Sequence, residues 1–149
     1  MSPETTATVR VTRRFRVAPW RVFDSWLDPD KIHEWMLAPA PGETTRIDVD
    51  PRVGGSFCFV VRREGAEVEH AGEYLELVRP RRLAFTWGVF PPGMSTPGSK
   101  KARVNVDLIP AGTGTELTLT QDGVPADFAS QTESGWNAIL ESIGTILSP

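Results

Sequence analysis

The chain is poor in the residues from which metal centres and catalytic triads are built: its 149 residues include one cysteine, two histidines and one tyrosine. The lone Cys58 excludes an intramolecular disulfide and forms no ligand cluster. His33-Glu34 opens like a zinc-helix motif, but residues 35–38 supply no second histidine. No G-x-S-x-G elbow is present, and Gly54-Gly55 lacks the further glycine and lysine of a phosphate-cradling loop. An excess of positive charge is also missing. The net charge is -3 and the pI about 5.4, which argues against the basic face of a nucleic-acid module. No apolar run is long enough for a membrane span, and Met1-Ser2-Pro3-Glu4 lacks the basic-then-apolar start of a signal peptide. With the single cysteine, these absences point to a reducing cytoplasm.

What the chain does contain is an ordinary globular balance, 40% hydrophobic and 23% charged, and a length suited to one domain over 1–149. Val9, Val11, Phe15 and Val17 alternate with polar residues, which predicts a first strand with one buried face; Arg13 interrupts that face. Pro19 suits the first turn of a short helix carrying Val22, Phe23 and Trp26. Asp28 caps a second short helix carrying Ile32, Trp35 and Met36. From Thr45 onward the period changes to two. Thr45, Ile47 and Val49 alternate, then Phe57, Phe59 and Val61, then a strand over 68–78. Leu83, Phe85 and Trp87 follow, then Val104, Val106 and Leu108, and last Leu117 and Leu119, up to Gln121. Turn residues at 51–55, 64–65, 79–81 and 111–114 separate these segments, so consecutive strands form an antiparallel meander. The exception is 89–99, too rich in proline for a central strand.

A single long helix closes the chain at residues 127–147. Phe128, Trp136, Ile139, Leu140, Ile143, Ile146 and Leu147 share one stripe with Thr132 and Gly135. Ser130, Gln131, Ser134, Asn137 and Glu141 lie opposite. The order strand, two short helices, six strands, long helix predicts an α+β architecture. In it, an antiparallel sheet of about seven strands curls around the terminal helix, and the short helices close one side.

Four stretches carry a family resemblance: 15–35 (FRVAPWRVFDSWLDPDKIHEW), Val53-Gly54-Gly55-Ser56-Phe57, Gly72-Glu73-Tyr74-Leu75-Glu76 running through Pro80 to Leu83-Ala84-Phe85-Thr86-Trp87, and Gly135-Trp136 with Leu140. In this order they resemble the helix-grip domains of the START/Bet v 1-like (SRPBCC) superfamily. Within it, the chain resembles the family named for homologues of the activator of heat-shock protein 90 ATPase. The resemblance implies a helix-grip fold with first and last strands adjacent. It spans ligand carriers, receptors, cyclases and chaperone partners on one scaffold. Many relatives place a histidine where this chain has Gln121, which removes that route for proton transfer.

The aromatic residues Trp26, Trp35, Phe57, Phe59, Phe85, Trp87 and Trp136 either line a ligand cavity or fill the core. Thr132 and Gly135 thin the first half of the helix stripe, and a cavity is expected opposite that half. Arg13 and Gln121, both on apolar faces, either present donors jointly inside the trough or reach solvent at strand ends. His70 is either a hydrogen-bond partner or base near neutral pH, or a surface histidine. Cys58, among apolar neighbours in sequence, reads as inert packing. The 89–99 segment is either a lid or a variable surface loop.

The sequence therefore predicts a binding protein for a hydrophobic or amphipathic small molecule, needing no cofactor or metal. Its expected ligand-binding residues are Trp26, Trp35, Phe57, Phe59, His70, Phe85, Trp87, Gln121, Thr132 and Trp136. The alternatives are an interaction module for a chaperone or a second copy of itself, and a cyclase- or hydrolase-like enzyme using the same cavity.

Overall fold

The computed structural model describes residues 6–37, 42–90 and 102–147. One antiparallel sheet organises them, with seven strands: β1 (Thr6–Phe15), β2 (Glu43–Val49), β3 (Ser56–Arg63), β4 (Ala66–Val78), β5 (Arg82–Phe90), β6 (Ala102–Ala111) and β7 (Gly114–Pro125). Their spatial order is β1-β7-β6-β5-β4-β3-β2. The chain thus pairs its first strand with its last, Val9 opposite Gln121 and Phe15 opposite Thr115, and the rest run as a meander. Short turns enforce the meander. Glu64 and Gly65 both take positive φ, the conformation a two-residue hairpin needs to match strand twist.

Period-two alternation places Val9, Val11, Phe57, Phe59, Leu83, Phe85, Val104, Val106, Leu117 and Leu119 on the buried face. Three register shifts interrupt the pairing, the first in β1 between Ala7 and Val9. Between Thr44 and Arg46 the pairing with β3 shifts, so Thr44 is half-buried and Thr45, expected inward, is exposed. Between Tyr74 and Glu76 the pairing with β5 shifts likewise. The strand ends also move from the sequence expectation. Val89 and Phe90 continue β5 rather than open a loop, and β7 runs past Gln121 to Pro125. The remainder of the 89–99 segment lies outside the described residues, and with it the lid reading.

Three helices cover the sheet: α1 (Pro19–Ser25), α2 (Pro29–Leu37) and α3 (Ala129–Ile146). Pro19 begins α1, where its missing N–H costs nothing. The Asp28 carboxylate accepts from the Asp30 N–H at 2.9 Å and so caps α2. Helix α3 packs against β1 and α2, and α2 reaches edge strand β2. Trp136, Leu140, Ile143 and Leu147 are buried beneath α3. Phe128, expected in that stripe, is not: residues Ala126–Phe128 form a separate 3-10 turn, and its ring is 54% exposed. A change from three to 3.6 residues per turn rotates it off the face that the α-helix buries. Ser142 takes an unforeseen buried place, its hydroxyl donating to the Ala138 carbonyl at 2.9 Å.

Candidate functional site

The concave side of the sheet divides into two compartments that share one wall. The first lies between α1–α2 and strands β3 to β5. Trp26, at the end of α1, and Trp35, on α2, meet Phe57 and Phe59 of β3 and Phe85 of β5, with Tyr74 and Leu83 completing the wall. The rings interlock: Trp26 and Trp35 centroids are 5.5 Å apart, Phe57 and Phe59 5.0 Å, Phe57 and Tyr74 5.2 Å. Such pairs add about 0.5–1.5 kcal/mol each beyond the area they bury. The space left is about 10 Å³, at the lower limit for one water. The close approach of β4 and β5 depends on Gly72, since a Cβ there would sit 1.8 Å from the Thr86 carbonyl oxygen and 2.7 Å from the Phe57 ring.

The second compartment lies between the 132–139 stretch of α3 and strands β4 to β7. It is a cavity of about 340 Å³, within the range of small-molecule sites. Thr132, Gly135, Trp136 and Ile139 line it from the helix, at the 3-1-3 spacing of one helical face. His70, Trp87, Gly88, Ala102 and Gln121 line it from the sheet. A Cβ on Gly135 would meet nothing within 4 Å. No Asp, Glu, Lys or Arg is among the described residues lining either compartment.

One polar contact joins helix to sheet across this cavity. The Trp136 indole Nε1–H donates to Gln121 Oε1 at 2.6 Å, and both residues are buried. Because an indole only donates, this bond also fixes the amide: its oxygen faces Trp136, and its NH₂ keeps two donors for other groups. His70 is half-buried, with its ring 5.5 Å from that of Trp87. Trp87 lines both compartments, and they also meet where the Trp136 ring lies 6.3 Å from that of Trp26. Trp87 lies 5.9 Å from Phe57 and 6.1 Å from Phe85 on one side, and 5.1 Å from Trp136 on the other.

The ten residues chosen from sequence therefore fall into two groups. Trp26, Trp35, Phe57, Phe59 and Phe85 surround the filled aromatic compartment. His70, Gln121, Thr132 and Trp136 surround the open one, and Trp87 faces both. Sequence reasoning left out Ile139, which stands three residues after Trp136 and could have been found by helical spacing. It also left out Tyr74, Leu83, Gly88 and Ala102, whose places depend on strand register.

Arg13 and Gln121 do not act together. Arg13 opposes Leu117 and Gln121 opposes Val9, four residues apart along the strand pair, and Arg13 lines a surface groove with Gly144 and Leu147. Cys58 also differs from its expected setting. It sits on the outer face of β3 with its thiol 3.4 Å from Glu69 Oε1, not among apolar side chains. Partial burial, then the Glu69 carboxylate, pushes that thiol up to about 11, so it is protonated at neutral pH. Among the described residues, no group of three or more His, Cys, Asp or Glu could hold a metal ion. No described helix is long and apolar enough to cross a membrane.

The curved sheet gripping a C-terminal helix is the α+β helix-grip architecture. By sequence, the chain belongs to the Activator of Hsp90 ATPase homolog 1-like protein family, whose profile matches residues 16–148. Solved structures repeat the fold. Protein CV1439 from Chromobacterium violaceum is 25% identical, with 99% of each chain covered and a TM-score of 0.82. Protein Mll3558 from Rhizobium loti is 25% identical over 98% of this chain and 100% of that one, with a TM-score of 0.81. CalU16 from Micromonospora echinospora is 22% identical over 99% and 88%, with a TM-score of 0.66. No curated protein matches.

Proposed function

We propose that this chain binds a hydrophobic or amphipathic small molecule between its sheet and α3. The observation that carries the reading is the 340 Å³ cavity, walled by two tryptophans and an isoleucine and furnished with three polar side chains, His70, Gln121 and Thr132. Apolar burial supplies most of the affinity, at roughly 25 cal/mol per Å² removed from water. The polar groups set orientation. All ten residues chosen from sequence contribute, five as direct lining and five as the packed support behind Trp87.

Binding of a neutral apolar dye such as Nile red tests this reading. Gly135→Leu places a branched side chain in open space at an exposed helix position, so the fold should persist while dye affinity drops at least tenfold. Unchanged dye binding would remove the cavity from consideration.

The family's description favours one further reading, an interaction module for a chaperone ATPase. Native mass spectrometry of protein purified from its own host separates the two. A co-purified small molecule supports carriage, and a stoichiometric protein partner supports the interaction role. An enzymatic use of the cavity has weaker support, since His70 is the one titratable side chain among the described lining residues.

A further inference from the structure

Gln121 is a polar residue in an apolar position. It follows Leu117 and Leu119 on the inward face of β7, and its cross-strand neighbours, Val9 on β1 and Val104 on β6, are buried valines. Neither side chain can accept from its amide. The amide oxygen is committed to the Trp136 indole, which only donates, so the orientation of the amide is fixed and its NH₂ is the free end. Among the described residues, no acceptor takes a hydrogen bond from that NH₂. Nor is its nitrogen one of the polar atoms sealed away from solvent without a partner. It therefore touches open space, and the open space that Gln121 lines is the 340 Å³ cavity.

The surroundings narrow what can meet this donor. Trp87 and Trp136, with rings 5.1 Å apart, and Ile139 give the cavity an apolar wall. No charged side chain is among the described lining residues, so an ionised ligand would lose its hydration with no opposite charge to replace it. A pure hydrocarbon is also disfavoured, because it strips water from the NH₂ and offers no acceptor in return. A carbonyl oxygen replaces that water.

We propose that Gln121 is the specificity-determining residue of this cavity, and that the ligand is a neutral, mainly apolar compound with a carbonyl oxygen: a ketone, ester or amide. That oxygen accepts from Gln121 Nε2–H, and the apolar body lies against Trp87, Trp136 and Ile139. One side chain thus serves twice, its oxygen holding Trp136 and its NH₂ reading the ligand. This inference rests on the cavity reading above and adds to it the class of ligand and the contact that orients it.

The test uses 1-indanone and indane, which share one skeleton and differ by a carbonyl, each titrated against the full chain by displacement of Nile red. The ratio of their affinities is compared between proteins, so that the stronger hydration of the ketone cancels. Gln121→Glu, measured at pH 8, keeps an acceptor for the Trp136 indole but has no N–H; Gln121→Met removes the donors without adding charge. In each variant indane should bind within about twofold of the wild type, while the indanone-to-indane ratio falls about tenfold, equivalent to about 1.4 kcal/mol. An unchanged ratio in either variant, even with both affinities lowered together, reduces Gln121 to a structural tie and overturns the inference. Indane binding that Gly135→Leu weakens would then leave the proposed function standing. Tighter binding of indane-2-carboxylate than of 1-indanone would overturn the neutral class. Binding of neither indane nor 1-indanone would remove both readings together.

Discussion

The two compartments under the sheet occupy the same concave face yet differ in how completely they are filled. Between α1–α2 and β3–β5, six aromatic side chains meet at centroid distances of 5.0 to 6.2 Å and leave about 10 Å³. Between α3 and β4–β7, Trp87, Trp136 and Ile139 are joined by small or polar residues (Gly88, Ala102, Gly135, His70, Gln121 and Thr132), and about 340 Å³ stays open. Large planar rings can tilt against one another until the space is used. A threonine and a glycine opposite a histidine and a glutamine cannot, because the polar pair must keep its hydrogen bonds and the small pair has no atoms to offer. Openness here comes from what the helix lacks at Thr132 and Gly135.

Substitutions should separate the two compartments by stability against binding. The largest loss is expected from Trp35→Ala, which empties the filled side and orphans the Ser25 carbonyl. About 3–5 kcal/mol should disappear in denaturant titration, and a loss under 1 kcal/mol would show that side to be loosely packed. Next comes Gln121→Leu, which leaves the Trp136 N–H without its acceptor at a cost of about 1–3 kcal/mol. Thermal unfolding measures it, and a neutral result would mean that the tie between α3 and β7 carries no weight. Gly135→Leu, the variant expected to block dye, should leave stability unchanged or raise it by less than about 1 kcal/mol, because helix-interior glycine is unfavourable. The smallest effect concerns neither compartment but the outer face of β3. The Cys58 thiol, raised from 9.0 to about 11, holds its proton more tightly in the folded chain than in the unfolded one. Stability should therefore begin to fall as pH rises through 9, and Cys58→Ser should remove the fall between pH 9 and 10. Above pH 10 the buried Tyr74 phenol, also held above its usual range, keeps a slope of its own.

Much of the fold was legible because periodicity reports burial directly. Phe57, Phe59, Leu83, Phe85 and Trp87 alternate at period two, and Trp136, Leu140, Ile143 and Leu147 recur at helical spacing, so each announces its own buried face. The misplacements have local causes. The Thr44/Arg46 bulge exchanges an inward residue for its neighbour, and the 3-10 turn rotates Phe128 into solvent. Neither changes the composition that pattern reading depends on. For the candidate site, residue types were readable but neighbours were not. Tyr74 and Ala102 join Trp87 only through strand register, and Cys58 meets Glu69 only because β3 and β4 pair with Cys58 opposite Ala71.

By itself, the amino-acid sequence determined the helix-grip order of elements, the buried face of each, and the uneven stripe of α3, since these follow from local periodicity and side-chain size. Only the tertiary structure decided that the aromatic set splits at Trp87 into a filled side and an open side. It also decided that the Gln121 oxygen accepts from Trp136, and that the Trp26 Nε1 and the Tyr74 hydroxyl are buried without a hydrogen-bond partner. Those outcomes depend on how strands far apart in sequence are registered and on which rings reach each other first, and short-range pattern carries no record of either.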